Sequence, residues 1–268
     1  MKKSYILLFM LIFLFSAQKM KAQDFEVSPV KIQFLAEPGE AQTIPVTVTN
    51  HSNVKTSFTI GIKDFTINRN GERESLDANT TPNSCASLLS ISPQFFDLQP
   101  NESKEFAVSI QVPMNDYSTK WCMVFVRNAE EQTALNADRN LRAGVTVGGQ
   151  IGIVVTQTPP SNQNYKATIF NLIEKAKLPN GDITYSATIE NQGEKIINSK
   201  IYLVASNLAT GEEIQYNAVE SEVFPGMKRD VTLTLPAGLP SGQYALAAIL
   251  DYGSYSTLEG TQIIIQIP

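Results

Sequence analysis

From residue 24 onward the chain alternates apolar and polar side chains with a period of two almost everywhere, and the period of an amphipathic helix is nearly absent. Such alternation buries one face of an extended segment and leaves the other in water, so a chain of this kind closes a core by stacking sheets. Candidate strands run from Glu26 to Leu35, Gln42 to Thr49, Thr56 to Asn68, Leu88 to Leu98, Ser103 to Val112, Lys120 to Arg127 and Gly144 to Thr156. Turn chemistry separates them: Glu37-Pro38-Gly39-Glu40, Asn70-Gly71 as a hairpin turn with positive φ, and Pro100-Asn101-Glu102. A second set covers Tyr165 to Leu172, Thr184 to Glu190, Lys200 to Asn207, Glu213 to Tyr216, Arg229 to Leu235, Tyr244 to Leu250 and Thr261 to Ile267. Seven short strands per set is the pattern of a β-sandwich. The sets part at Thr158-Pro159-Pro160-Ser161-Asn162-Gln163-Asn164, where paired prolines and polar residues interrupt the alternation.

An internal repeat points the same way. Pro100 to Pro113 leads through Tyr117 into the apolar strand from Trp121, and Pro225 to Pro236 leads likewise into Tyr244 and its strand. Earlier in each half, Val46-Thr47-Val48-Thr49-Asn50 before a polar turn matches Ala187-Thr188-Ile189-Glu190-Asn191 before Gln192-Gly193. Leu239-Pro240-Ser241-Gly242-Gln243-Tyr244 has the form of a tyrosine corner, in which the hydroxyl of a Tyr opening a strand bonds back to the preceding loop. The expected fold is all-β: two tandem Ig-like or fibronectin-like β-sandwich domains, residues 23–158 and 159–268, after a signal peptide of residues 1–22.

That signal is read from Lys2 and Lys3, the apolar run Tyr5 to Phe15, and cleavage between Ala22 and Gln23. The run is too short to span a bilayer, and no cysteine follows it to carry a lipid. The expected product is exported, in the periplasm or at the cell surface, with no membrane span once the signal is removed. Losing four lysines and no acid moves the net charge from −5 to −9, spread over both halves, which argues against a nucleic-acid partner.

Enzyme chemistry finds little support. His51 is the only histidine and lies in a polar turn, Asn50-His51-Ser52-Asn53, without a Gly-x-Ser-x-Gly elbow to serve. Two cysteines 37 residues apart and one histidine have no metal-ligand spacing, and no phosphate-binding glycine pattern occurs. Any of the 26 acids could pair for acid–base work, but nothing singles out a pair. No catalytic residue, metal or cofactor is therefore expected. Cys85 and Cys122 have two readings. One is a disulfide, worth roughly 4 kcal/mol in the chain-entropy model; the other is one buried and one exposed thiol. The run Trp121-Cys122-Met123-Val124-Phe125-Val126 is apolar on both faces, so its second face needs a cover: the Arg69 to Ser84 excursion, the other domain, or another protein.

On these residues a family resemblance can be stated. Ser28-Pro29-Val30-Lys31-Ile32-Gln33-Phe34, Pro38-Gly39-Glu40, Thr49-Asn50, Ser92-Pro93, Leu98 to Ser103 and Val112-Pro113 resemble the amino-terminal domain of periplasmic pilus-assembly chaperones, and the related Ig-like domain of WxL-type surface proteins. Asn207 to Gly211, Pro225 to Arg229, Leu250 to Gly253 and Leu258 to Gly260 are more similar to the carboxy-terminal domain of those surface proteins. The chaperone resemblance implies binding by strand addition at the last strand of the first domain. Val145, Val147, Ile151, Ile153 and Val155 would supply the apolar side chains, and main-chain hydrogen bonds the affinity. The other reading of these residues is one buried face of an ordinary sandwich strand. Lys31 matches the basic residue that, in chaperones, helps hold a partner's terminal carboxylate. The positions for its companion carry Gln150 and Gly152, and a lysine that protects an exposed edge is an equal reading.

The expected function is a non-catalytic exported protein-binding module, a periplasmic chaperone-like protein that assembles surface fibres or adhesins. The alternative is a cell-envelope structural or adhesion protein that binds cell-wall polysaccharide or a surface complex.

Overall fold

The computed structural model describes residues 24–129, 149–253 and 257–268; the expected cleavage site at Ala22 and Gln23, and Val145 and Val147, lie outside the described residues. The first module contains β1 (Phe25–Ser28), β2 (Lys31–Phe34), β3 (Ala41–Asn50), β4 (Thr56–Ile67), β5 (Arg73–Leu76), β6 (Leu89–Ser92), β7 (Phe95–Leu98), β8 (Ser103–Gln111), β9 (Lys120–Ala129) and β10 (Gln150–Gln157). These form sheets ordered β1-β3-β8-β6 and β2-β10-β9-β4-β5, with β7 also on β4. In the second module β11 (Ala167–Lys177), β12 (Ile183–Asn191) and β16 (Lys228–Leu235) make one sheet. The other sheet holds β14 (Glu213–Gln215), β13 (Ile197–Asn207), β17 (Gly242–Asp251) and β18 (Glu259–Ile267) in that order, with β15 (Val219–Val223) also on β13. Among the described residues a single 3₁₀ turn, Ala86–Leu88, is the only helical element. The chain is thus an all-β pair of sandwiches.

Two segments that alternation joins into single strands are each two strands in different sheets. β1 pairs antiparallel with β3, but after Pro29 the chain crosses over and β2 pairs in parallel with β10. In the same way β6 pairs with β8, and after Pro93 β7 pairs with β4. Both crossovers sit at cis Ser-Pro bonds, Ser28-Pro29 and Ser92-Pro93. Proline has no N–H to donate to a ladder, so pairing stops there while alternation continues on either side. β5 and β15 escape the alternation argument for another reason: β5 is exposed along its whole length, and β15 reads Val219-Glu220-Ser221-Glu222-Val223.

Each sandwich fills its own core. Phe34, Phe58, Leu98 and Phe106 lie in the first, and Tyr185, Ile189, Leu203 and Leu246 in the second. The sequence repeat has a structural cause in two buried asparagines. Asn50 donates its side-chain amide to the carbonyls of Val54 and Leu98, and its Oδ1 accepts the Ser52 N–H. Asn191 donates to Lys195 and Val223 and accepts from the Gly193 N–H. Main-chain bonds repeat as well: Asn101 N–H to the Asn50 carbonyl at 2.8 Å, and Gly226 N–H to the Asn191 carbonyl at 2.9 Å. Asn101 and Gly226 both have positive φ, 61° and 73°, which asparagine and glycine tolerate best. In each copy one amide ties the turn after the third or twelfth strand to the chain crossing beneath it. The tyrosine corner is present, with Tyr244 donating to the Pro240 carbonyl at 3.1 Å.

A third cluster joins the modules and covers the second face of β9 at Trp121 and Met123. Phe224 of the second module packs edge-on against Trp121 (5.1 Å between centroids) and Phe65 (5.8 Å), and Val154 completes the cluster. The Trp121 indole N–H donates to the Phe65 carbonyl at 3.2 Å. The Arg69 to Ser84 excursion contributes main chain: Trp121 N–H donates to the Asn83 carbonyl and Cys85 N–H to the Trp121 carbonyl. The tip of the β4–β5 hairpin also crosses the boundary. Arg69 reaches Asp230 at 2.8 Å and Thr188 at 3.1 Å, and the Asp230 N–H donates back to the Arg69 carbonyl. Gly71, at φ 86°, leaves room for Arg229, whose guanidinium takes the place where a Cβ would stand.

Tyr185 is fully buried, and its hydroxyl makes no hydrogen bond of normal geometry among the described residues. Burial first, and the nearby Glu174 carboxylate second, push that hydroxyl up to about 12. Removing an unsatisfied buried group costs nothing in lost bonds, so Tyr185→Phe is expected to be neutral or to stabilise by up to about 1 kcal/mol. Urea denaturation showing a loss above that size would disprove the assignment.

Candidate polypeptide-binding site

The crossover at Pro29 determines what the last strand of the first module can offer. β2 pairs only with Val154 to Gln157 of β10, joined by one further bond from the Val154 N–H to the Val30 carbonyl. Opposite β9, the stretch from Gln150 to Ile153 has no strand partner among the described residues, while its other side is in register with Val124 to Arg127. A cleft of about 530 Å³ opens beside it, lined by Phe25, Val27, Val30, His51, Gln150 and Ile151. Val30 is 55% exposed on this rim. Gly149, at the mouth, sits where a side chain would meet the Phe25 ring at 2.9 Å. At the same corner Asn128 Oδ1 is buried with no hydrogen-bond partner among the described residues, an acceptor available to an incoming donor. His51 belongs to this rim, with its Nε2 3.1 Å from a Glu26 carboxylate oxygen.

The side chains expected on one face of β10 divide. Ile153 and Val155 are fully buried in the first module's own core, so these two serve the sandwich. Ile151 is partly buried and reaches both that core and the cleft. The reason is depth: β10 enters the sandwich as β2 closes over it, and its apolar alternation continues without a break from open rim to sealed core. Periodicity carries no mark of that transition.

Lys31 stands at the mouth of a second cleft, of about 400 Å³, between the modules. It is not alone at an edge: its ammonium bonds Glu222 of β15 at 2.9 Å, and Arg73 approaches the other Glu222 oxygen at 4.0 Å. Gln150 and Gly152 carry no cation, and one other lysine stands in the lining of this cleft. Lys195 of the second module lines the same cleft, its ammonium 4.7 Å from the centroid of the Tyr165 ring. Leu35 and Ile196 add apolar wall. Sequence reasoning could not reach Lys195 because it precedes β13, in a module joined to Lys31 only by the fold.

Cys85 and Cys122 are joined in a disulfide with Cα atoms 5.5 Å apart. It holds the 3₁₀ turn against β9, and the buried carboxylate of Asp64 secures the segment before it, accepting from Thr80 N–H, Thr81 N–H and Ser84 Oγ.

The two Ig-like sandwiches, one following the other along the chain, make a fold that this protein shares with fimbrial chaperones. A chain of the chaperone–tip adhesin complex of CFA/I fimbriae biogenesis shares it, aligning with TM-score 0.50 and 13% identity over 91% of this chain and 99% of its own. The class 5 fimbriae chaperone CfaA aligns with TM-score 0.48 and 15% identity, over 91% and 99%. The Salmonella enterica SafA pilin–SafB chaperone complex aligns with TM-score 0.43 and 13% identity, over 91% and 98%. No protein-family model and no curated protein matches the sequence. Among the described residues no helix is long and apolar enough to cross a membrane.

Proposed function

We propose that this chain is a non-catalytic polypeptide-binding protein of the chaperone type, exported to the periplasm, and that it takes up an extended segment of a fibre or adhesin subunit along the open stretch of β10. One observation carries the reading: Gln150 to Ile153 form a sheet edge without a partner strand among the described residues, beside a cleft whose lining mixes Phe25, Val27, Val30 and Ile151 with Glu26, His51 and Gln150. Main-chain bonds to that edge would supply affinity, with Val30 and Ile151 and the preceding Val145 and Val147 supplying side-chain preference. The cleft of Lys31 and Lys195 suits a carboxylate of the same partner, which would displace Glu222 from Lys31.

The test is a pull-down of tagged protein from the native envelope, read by mass spectrometry, comparing wild type with Val30→Asp and Val147→Asp variants shown by circular dichroism to be folded. Both folded variants are expected to lose one specific polypeptide at least tenfold. Unchanged partners in both would overturn the edge. Retention on purified cell wall without bound polypeptide would replace this reading with the wall-binding alternative.

A further inference from the structure

Sheet edges invite association, and beyond the open stretch of β10 the other edge strands among the described residues carry a device against it. β1, β2, β6 and β7 have four residues each, and β14 has three. β5 carries Arg73 and Glu74, β15 carries Glu220 and Glu222, β16 opens with Lys228-Arg229-Asp230, and β11 is broken by two register shifts. β18 has none of these. Its nine residues pair with β17 in unbroken register, and Glu259 at the start is its only charge. β11 of the opposite sheet runs alongside, but its ladder is with β12. Ile263 and Ile265 turn inward to the second core, while Ile264 points outward and is 56% exposed.

The sequence of this edge is its own complement. Gln262-Ile263-Ile264-Ile265-Gln266 reads identically in both directions about Ile264. An antiparallel strand laid beside it by a two-fold axis through Ile264 would set Ile264 against Ile264, Ile263 against Ile265 and Gln262 against Gln266. Like residues then face like on both sides of the sheet. A two-fold axis makes the same patch serve both partners, and about Ile264 it brings only uncharged, matching side chains together. The face behind the edge is also uncharged at its centre, where Ala245 and Ala247 of β17 stand opposite Ile264 and Gln262.

We propose that two copies of this chain associate through β18, forming one continuous sheet across the two-fold axis. This surface lies in the second module and does not depend on the β10 reading. Sedimentation equilibrium of the full chain over a range of concentrations is expected to show the mass rising from one copy toward two. Ile264→Lys, a change at an exposed position, should hold the mass at one copy throughout. Cysteine pairing tests the register even where association is weak. Ile264→Cys should cross-link to itself on oxidation, and Gln262→Cys should cross-link when mixed with Gln266→Cys but not alone. A wild-type mass that stays at one copy with no register-specific cross-link would overturn the proposal, as would a dimer that Ile264→Lys leaves intact.

Discussion

Phe224→Ala is expected to divide one cooperative unfolding transition into two. Phe224 is 1% exposed and supplies the aromatic ring that the second module places between Trp121 and Phe65. Truncating it leaves a cavity where the modules meet, at a cost of about 3–5 kcal/mol. The rest of each core is untouched, so the loss falls on the coupling between modules. Differential scanning calorimetry should resolve two peaks, and emission from Trp121, the only tryptophan, should shift to the red as its indole meets water. Phe224→Leu, which keeps most of the volume, should fall between. A single transition at the wild-type temperature would mean that the polar contacts of Arg69 and Glu222 hold the modules together without the aromatic cluster.

The second large effect is expected at Asp64. Its carboxylate is fully buried and accepts from two main-chain N–H groups and two hydroxyls of the segment Thr80 to Ser84. Asp64→Ala leaves those main-chain donors without an acceptor, and buried unsatisfied groups cost about 1–3 kcal/mol each. A total near ~3 kcal/mol is expected by chemical denaturation, with Asp64→Asn less severe because one oxygen remains. Protease cleavage should appear first between Leu76 and Ser84, since the disulfide at Cys85 anchors the chain only from that residue onward. Equal loss in both variants, with no local cleavage, would show that the charge itself and not its bond geometry is what matters there.

How far sequence reasoning reaches depends on the kind of information each residue carries. Alternation finds the sheets, and the paired Asn50 and Asn191 mark the repeat, because those signals are local and the structure uses them locally. The crossovers at Pro29 and Pro93 escape it because alternation is unaffected when a strand changes its partner. The prolines themselves hold the signal, in the missing N–H donors. Ile153 and Val155 show the same limit at the candidate site: an apolar residue on a strand is written alike whether it faces a guest or its own core. Lys195, Phe224 and Glu222 cannot be found from patterns at all. Each acquires its role across the boundary between modules, and a sequence does not state which of its loops will meet.

The four residues of β2 have a further effect on any chain that docks along β10. They occupy the same edge that a guest would follow, from Val154 onward. An advancing guest strand therefore runs into an end-stop after Ile153 and has to turn away there. Its alignment would be set by where the track ends, so that guests differing along their length could all be halted at the same place, and recognition would measure position as well as chemistry.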